Sequence, residues 1–467
     1  MGKKALVRLA TVVFMTVVFV SSAFAEHLFG PDELDTSFGA YFRLRQEIWD
    51  NNFTLDTLNT PPAPLSTTAN RNFFRLKSSV WGKLDYDKTA ALFLKLTNEM
   101  KYYLPVSEFR EPTGSTSRYV EDELIFDNLY ADFNLKKPLN IPVSLKLGRQ
   151  DFIMTHGEGF LIMDGTPGDG SRSFYFDAFK ANIQFNENNN LDLIYITNQE
   201  TDTYLPVMYT PPGKRLLNSS DEQGVVVYSR NKLSKNVAIE PYYMWKQEEA
   251  FGTVQELDLH TLGLRGVVNV DGWKFEGEFA YQFGEYDGGK DRTGYGGYIT
   301  AGRKYENVTL KPEWSLSFIY LSGDDPDSTD EDEGFNPLFS RWPKWSELFV
   351  FTLVPETTRY TRTPAYWTNL LIYRANVRLN FTPQASLWLW YNYLQAAEET
   401  RITAGPFAGM FSNNSKDRGH LPQVQFNYKF TKNIDGYLLW EYFMPGDFYA
   451  NGKKDANFFR WQIQVKI

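Results

Sequence analysis

Apolar and polar residues trade places one for one along most of this chain, and the pattern runs to its last residue. In the closing stretch FFRWQIQVKI, Phe459, Trp461, Ile463, Val465 and Ile467 alternate with Arg460, Gln462, Gln464 and Lys466. Successive side chains of a β-strand point to opposite faces, so such a segment has one apolar and one polar side. The same period of two predicts eighteen strands, at 40–48, 73–86, 90–101, 129–135, 143–147, 176–185, 191–197, 224–230 and 237–246, then at 260–268, 273–283, 295–303, 314–321, 371–381, 387–393, 424–430, 436–443 and 458–467. The segments near 225 and 298 carry it most faintly. None of the eighteen repeats its apolar positions every 3.6 residues, as an amphipathic helix would.

The connections alternate too. Short turns at 87–89, 186–190, 231–236, 269–272, 382–384 and 431–433 are interleaved with long polar links. The links span 49–72, 104–124, 151–175, 198–223, 284–294, 322–366 and 394–420. A transmembrane β-barrel joins its two rims in this way, with short periplasmic turns and long extracellular loops. In lipid every backbone polar group must be paired internally, and a closed barrel is the all-strand solution. The expected fold is therefore all-β: a closed antiparallel transmembrane β-barrel of about 18 strands. Its last strand would close on the first near 40–48. Loop 322–366 is the candidate to enter the pore. A secreted soluble all-β protein is the weaker alternative, because it has no reason to gather its long loops at one end.

Composition agrees with that reading. Aromatic residues make up 16% of the 467, with 37 Phe, 28 Tyr and 12 Trp. An apolar belt around a wet interior uses such a mixture, with aromatic girdles at both interfaces. Trp49, Tyr86, Tyr102, Tyr103, Trp273, Tyr391 and Tyr393 lie near strand ends and suit the girdles. The formal charge of -9 argues against a nucleic-acid surface. The chain has no cysteine, which excludes disulfides, thiolate metal sites and covalent c-type haem. At the N-terminus, Lys3, Lys4 and Arg8 precede an apolar run over 9–20, and Ala23, Phe24 and Ala25 form a cleavage pattern. Residues 1–25 read as a signal peptide and 26–467 as one barrel domain in the outer membrane of a Gram-negative cell.

If the apolar phase faces lipid, the opposite phase lines the lumen. Strand one then presents Arg43, Arg45 and Glu47, strand two Arg75, Lys77, Lys83 and Asp85, and strand three Lys95, Thr97, Glu99 and Lys101. Strand fourteen presents Arg374, Asn376, Arg378 and Asn380. Inward bases outnumber inward acids although the whole chain is acidic. Rings of Arg and Lys attract anions along a pore, so Arg43, Arg45, Arg75, Lys77, Lys95, Lys101, Arg374 and Arg378 are the candidate pore-lining residues. The plainer reading is that bases and acids pair across any wide barrel. Trp388 and Trp390 could stack on sugar rings if their phase is inward.

Other motifs carry little. HGEGF and GTPGDG, within 156–170, lack the GxxxxGK of a phosphate loop and read as rim glycines. The run Asp324, Asp325, Asp327, Asp330, Glu331, Asp332 and Glu333 could bridge divalent cations, but it lacks EF-hand spacing. His27, His156, His260 and His420 form no HExxH, and there is no GxSxG. No enzyme activity, metal or cofactor is expected.

Several stretches, in matching order, resemble the alginate-export family of outer-membrane barrels. They are LKLGRQDF (145–152), FDAFKANIQF (176–185), SLSFIYLSGDDP (315–326), FNPLFSRWPKWSELF (335–349), YWTNLLIYRANVRLNFTP (366–383) and WEYFMPGDFYANG (440–452). The resemblance implies an eighteen-stranded porin that passively exports an anionic polysaccharide, such as alginate, through a constricted, arginine-lined pore. Arg149 carries over as a constriction residue, although strict alternation puts it on the lipid phase unless Gly148 is a bulge or a strand end. The implied partners are outer-membrane lipid, an anionic polysaccharide or small anionic solute, the barrel-assembly machinery and a periplasmic export partner. A general diffusion porin, or a structural sleeve around a partner such as an electron-transfer conduit, remains the alternative.

Overall fold

The structure, a computed structural model, describes residues 34–51, 55, 70–104, 118–163, 175–208, 217–252, 254–340, 342–357, 366–402 and 409–467. The leader 1–25 lies outside the described residues.

Eighteen strands form the wall. The first nine are β1 (Leu34–Asp50), β2 (Arg71–Tyr86), β3 (Ala90–Tyr103), β4 (Tyr119–Asn134), β5 (Val143–Gln150), β6 (Phe176–Gln184), β7 (Asn189–Asn198), β8 (Glu222–Lys232) and β9 (Val237–Glu248). The rest are β10 (Leu257–Val270), β11 (Trp273–Tyr286), β12 (Asp291–Lys304), β13 (Glu313–Leu321), β14 (Leu370–Asn380), β15 (Ala385–Gln395), β16 (Asp417–Lys429), β17 (Ile434–Pro445) and β18 (Ala456–Lys466). Each pairs antiparallel with the next in the chain. The ring closes where β18 meets β1, from Tyr41 opposite Lys466 to Asp50 opposite Asn457. Ala40 and Ile467 exchange backbone hydrogen bonds of 3.0 and 2.9 Å at that seam. Every predicted strand is present.

Two of the boundaries that differ from the sequence expectation change the reading of the wall. β4 begins at Tyr119, ten residues before the alternating segment does, because the register against β3 slips between Lys95 and Leu96. Asp127 and Asn128 are consecutive yet both buried, which breaks the period of two. The supposed link 284–294 is a short hairpin connection, because β11 runs on to Tyr286 and β12 starts at Asp291.

The outer face is an apolar belt. Leu44, Leu147, Phe279, Ile299 and Leu316 on it are 42–64% exposed, as residues that meet acyl chains should be. Among the described residues no helix is long and apolar enough to cross a membrane, so the crossing falls to the strands. Trp49 and Tyr103 do not join the girdle. Both share the phase of inward neighbours and are 4% exposed. Trp49 meets Phe351 edge-on at 4.8 Å, and Tyr103 lies 5.1 Å from Phe73.

The inner face is unlike that of a water-filled porin. Ile194, Val226, Leu259, Ile319, Ile372 and Leu421 point inward and are no more than 2% exposed. Two extracellular connections turn in to cover them. Residues 151–163 and 322–357 meet at a parallel bridge, with Phe339 opposite Ile162 and Ser340 opposite Met163. Beyond it come two short helical turns, α1 (Phe349–Thr352) and α2 (Val354–Thr357). Phe335, Leu338, Phe339, Leu348, Phe349, Val350 and Leu353 are 0–1% exposed. Apolar wall and apolar plug remove each other from water, at about 1.5–3 kcal/mol for each fully buried large side chain. The HGEGF segment therefore sits inside the barrel, not on its rim.

Candidate permeation pathway

Polar attachments hold the plug to the wall, among them those of Glu441, Arg418 and His156. The Glu441 carboxylate of β17 accepts the N–H groups of Glu347 (3.1 Å) and Leu348 (2.8 Å) and the Gln423 amide (2.9 Å). It thereby satisfies backbone donors at the start of α1 that would otherwise be orphaned. Arg418 of β16 clamps Glu356 of α2 with two contacts of 2.8 Å and donates to the Asn369 carbonyl at 3.0 Å. His156 lies 3.0 Å from Asp192 of β7 through Nε2 and 2.9 Å from the Thr155 hydroxyl through Nδ1. Burial pushes His156 down to about 4; Lys180 and Arg230 push the same way, against the Asp192 hydrogen bond. The two loops are joined as well, since the Trp342 indole N–H donates to the Gly159 carbonyl at 2.9 Å.

The bases expected to line the pore fall into two groups. On β1–β3 they are inward and partly compensated, three acids (Glu47, Glu99 and Asp127) facing six bases. Glu47, 1% exposed, lies 2.6 Å from Arg45, 3.6 Å from Arg75 and 2.9 Å from Arg460. Glu99 holds Arg75 at 3.1 Å and Arg43 at 3.5 Å. Lys95 reaches Asp127 at 2.8 Å, and Lys77 sits in the field of Asp127 and Glu99. Lys101 is buried at 2% exposure. Part of the positive field expected from these strands is thus cancelled within the wall by Glu47, Glu99 and Asp127, which a count of inward bases does not reveal.

On β14 the picture reverses. Among the described residues Arg374 and Arg378 make no ion pair. Arg374 donates to the Trp345 carbonyl of the plug at 3.2 Å and lies 5.5 Å from the Trp390 ring, while Arg378 lies 4.9 Å from the Trp388 ring. Both tryptophans face inward, in phase with buried Asn392 and Leu394 and out of phase with Tyr391, which is 48% exposed.

Arg149 is a correction. β5 keeps a regular register through Gly148, opposite Tyr130, to Arg149, opposite Leu129 and Asp177. There is no bulge: Gly148 takes a φ of 120°, where an added Cβ would stand 2.3 Å from the Leu129 carbonyl oxygen. Arg149 keeps the outward phase of Leu147, yet is 2% exposed because Asp202, from the connection between β7 and β8, folds over it. All five of its N–H donors are used: on Asp177 at 2.8 and 3.0 Å, on Asp202 at 2.9 and 3.0 Å, and on the Phe126 carbonyl at 3.1 Å. A guanidinium so occupied is a brace for the extracellular edge of two short strands. Arg149→Ala would leave Asp177 facing nearly buried Asp202, a loss of about 3–5 kcal/mol of stability for a broken buried pair. Thermal unfolding is expected to shift down while ion selectivity stays as in the wild type.

Above the plug a cavity of about 790 Å³ is lined by Glu248, Tyr286, Arg292, Asp324, Asp332 and Asn369, among others. The acidic run is spent on folding its own loop. Asp332 pairs with Arg292, Asp324 accepts the Glu333 N–H at 3.3 Å, and Asp325 accepts the Asp327 N–H at 2.9 Å. No cluster of acids and histidines among the described residues is arranged to hold a metal ion.

The family profile described as alginate export matches residues 36–462. The chain belongs to the alginate-export family. Solved structures of the same architecture are outer-membrane proteins of very different sequence. OccAB1 of Acinetobacter baumannii is 10% identical, with a TM-score of 0.56 over 93% of this chain and 96% of its own. OccK11 of Pseudomonas aeruginosa is 11% identical, with a TM-score of 0.54 over 93% and 96%. No curated protein matches the chain. Membership of the alginate-export family and the porin architecture make this an outer-membrane β-barrel porin, whose apolar belt meets membrane lipid. Family and fold are those of transport, not of catalysis.

Proposed function

We propose that this porin gives passive passage to anionic saccharides, an acidic exopolysaccharide such as alginate being the cargo that the family membership favours. The observation that carries the reading is the pair Arg374 and Arg378, lumen-facing guanidinium groups with no ion-pair partner among the described residues. Arg43, Arg45, Arg75, Lys77, Lys95 and Lys101 add to the field only as far as Glu47, Glu99 and Asp127 leave them uncompensated. A sleeve around a partner protein would need an open lumen, and the plug occupies it.

The test is ion selectivity in planar bilayers. Native protein is expected to pass chloride over potassium, and Arg374→Glu with Arg378→Glu to lower that preference several-fold or invert it. A cation-selective native pore would overturn the proposal.

A further inference from the structure

We infer that Trp388 and Trp390, with Arg374 and Arg378, form a stacking subsite for a pyranose ring that bears a carboxylate. The inference rests on the anionic reading above and names residues that would distinguish a sugar acid from any other anion.

The register sets the site. Trp388 pairs across to Arg378 on β14 and to Gln425 on β16, and Trp390 pairs to Asn376 and Gln423. Residues two apart on one strand lie on the same face, about 7 Å apart, so the two indoles make a short ladder along the wall. Their ring centroids are 5.5 Å apart at 65°. The ladder starts on the periplasmic side and ends under the plug, where the Trp345 carbonyl takes both the Arg374 guanidinium (3.2 Å) and the Gln423 amide (3.1 Å). A polymer moving outward would meet it directly beneath the constriction.

The chemistry is complementary to a uronate. One face of a pyranose ring is a patch of C–H groups, which buries its apolar area on an indole. A guanidinium stacked on an aromatic ring keeps its in-plane N–H fork free, in the geometry that matches a carboxylate. Arg378 has that placement, and its Nε is buried without a partner. A wall built only for ionic field needs arginines but not tryptophans. An interfacial girdle would use tryptophans that face lipid, which these do not.

The experiment compares how long single channels are blocked by oligouronates and by polyglutamate of equal charge. Native protein is expected to hold the oligouronate longer. Trp388→Leu with Trp390→Leu should shorten that residence about tenfold, the equivalent of about 50 Å² of C–H surface no longer buried on the indoles, while anion selectivity and the polyglutamate block stay unchanged. Should the leucine pair fail to insert, Trp388→Phe with Trp390→Phe keeps an aromatic face and is expected to give an intermediate residence. Equal native residence for both polyanions, or unchanged uronate residence in the variants, would overturn the subsite. Cation selectivity of the native pore would instead sink the anionic reading, and maltohexaose block would then read the stacking alone.

Discussion

Excising residues 325–367 and closing the gap with a short Gly- and Asn-containing turn is expected to leave a closed barrel whose conductance rises several-fold. The ends to be joined are already neighbours, since Leu321 and Leu370 are paired residues of β13 and β14. A short hairpin connection therefore replaces the long one with little loop-closure cost. The excised stretch contributes Phe335, Leu338, Phe339, Phe349 and Phe351 to the lumen, all at most 4% exposed. Their removal opens the cross-section that they fill. The barrel is expected to lose stability, because Ile194, Val226, Ile319 and Leu421 would then face water, each at a cost of about 1.5–3 kcal/mol if fully wetted. Conductance up and melting temperature down is the expected joint result. Unchanged conductance would mean that the segment does not set the size of the path.

The strands were legible because lipid enforces a period of two on one face. The same enforcement explains where legibility faded. β8 contains Val225, Val226 and Val227 in succession, with Val226 inward and fully buried. Both of its faces are apolar because one meets lipid and the other the plug, so no alternation survives. In β12, Gly296 leaves the space that Phe335 of the plug occupies: an added Cβ there would stand 2.6 Å from its ring. The plug has no period of its own, and its partners are remote in the chain. Ser340 donates to the carbonyl of Gly159 across 181 residues.

Charge showed a similar limit. The inward phase of Arg43, Arg45 and Arg75, and of Glu47 and Glu99, follows from alternation, but which acid meets which base depends on register and rotamer. Trp388 and Trp390 needed only their phase, which buried Asn392 on the same face settles. Arg149 misled because the resemblance implied a constriction residue while alternation put it on the outward phase; the connection that carries Asp202, remote in the chain, is what buries it.

Loss of the Arg418 guanidinium is expected to cost about 3–5 kcal/mol, the scale of removing one partner of a buried ion pair. Arg418 is fully buried, and the Glu356 side chain that it clamps is 7% exposed. That carboxylate also accepts the Thr400 hydroxyl at 2.8 Å, so the clamp ties α2 of the plug to β16 and to the connection after β15. In Arg418→Met the buried carboxylate would lose its counter-charge and keep only the neutral donors Thr400 and Asn369, beside a methionine packed on Phe448, whose ring now lies 4.0 Å from the guanidinium. The plug should detach there, giving noisier single-channel currents and a lower unfolding temperature. Adding Glu356→Leu removes the stranded charge along with its partner. Replacing a buried pair by apolar residues of similar volume is often neutral, so the double variant should regain most of the stability and quiet current. The coupling between the two positions is then large and of the sign that a clamp requires. Additive losses in the double variant would show that Arg418 and Glu356 act separately, and that the plug is held by its apolar contacts and its other polar attachments.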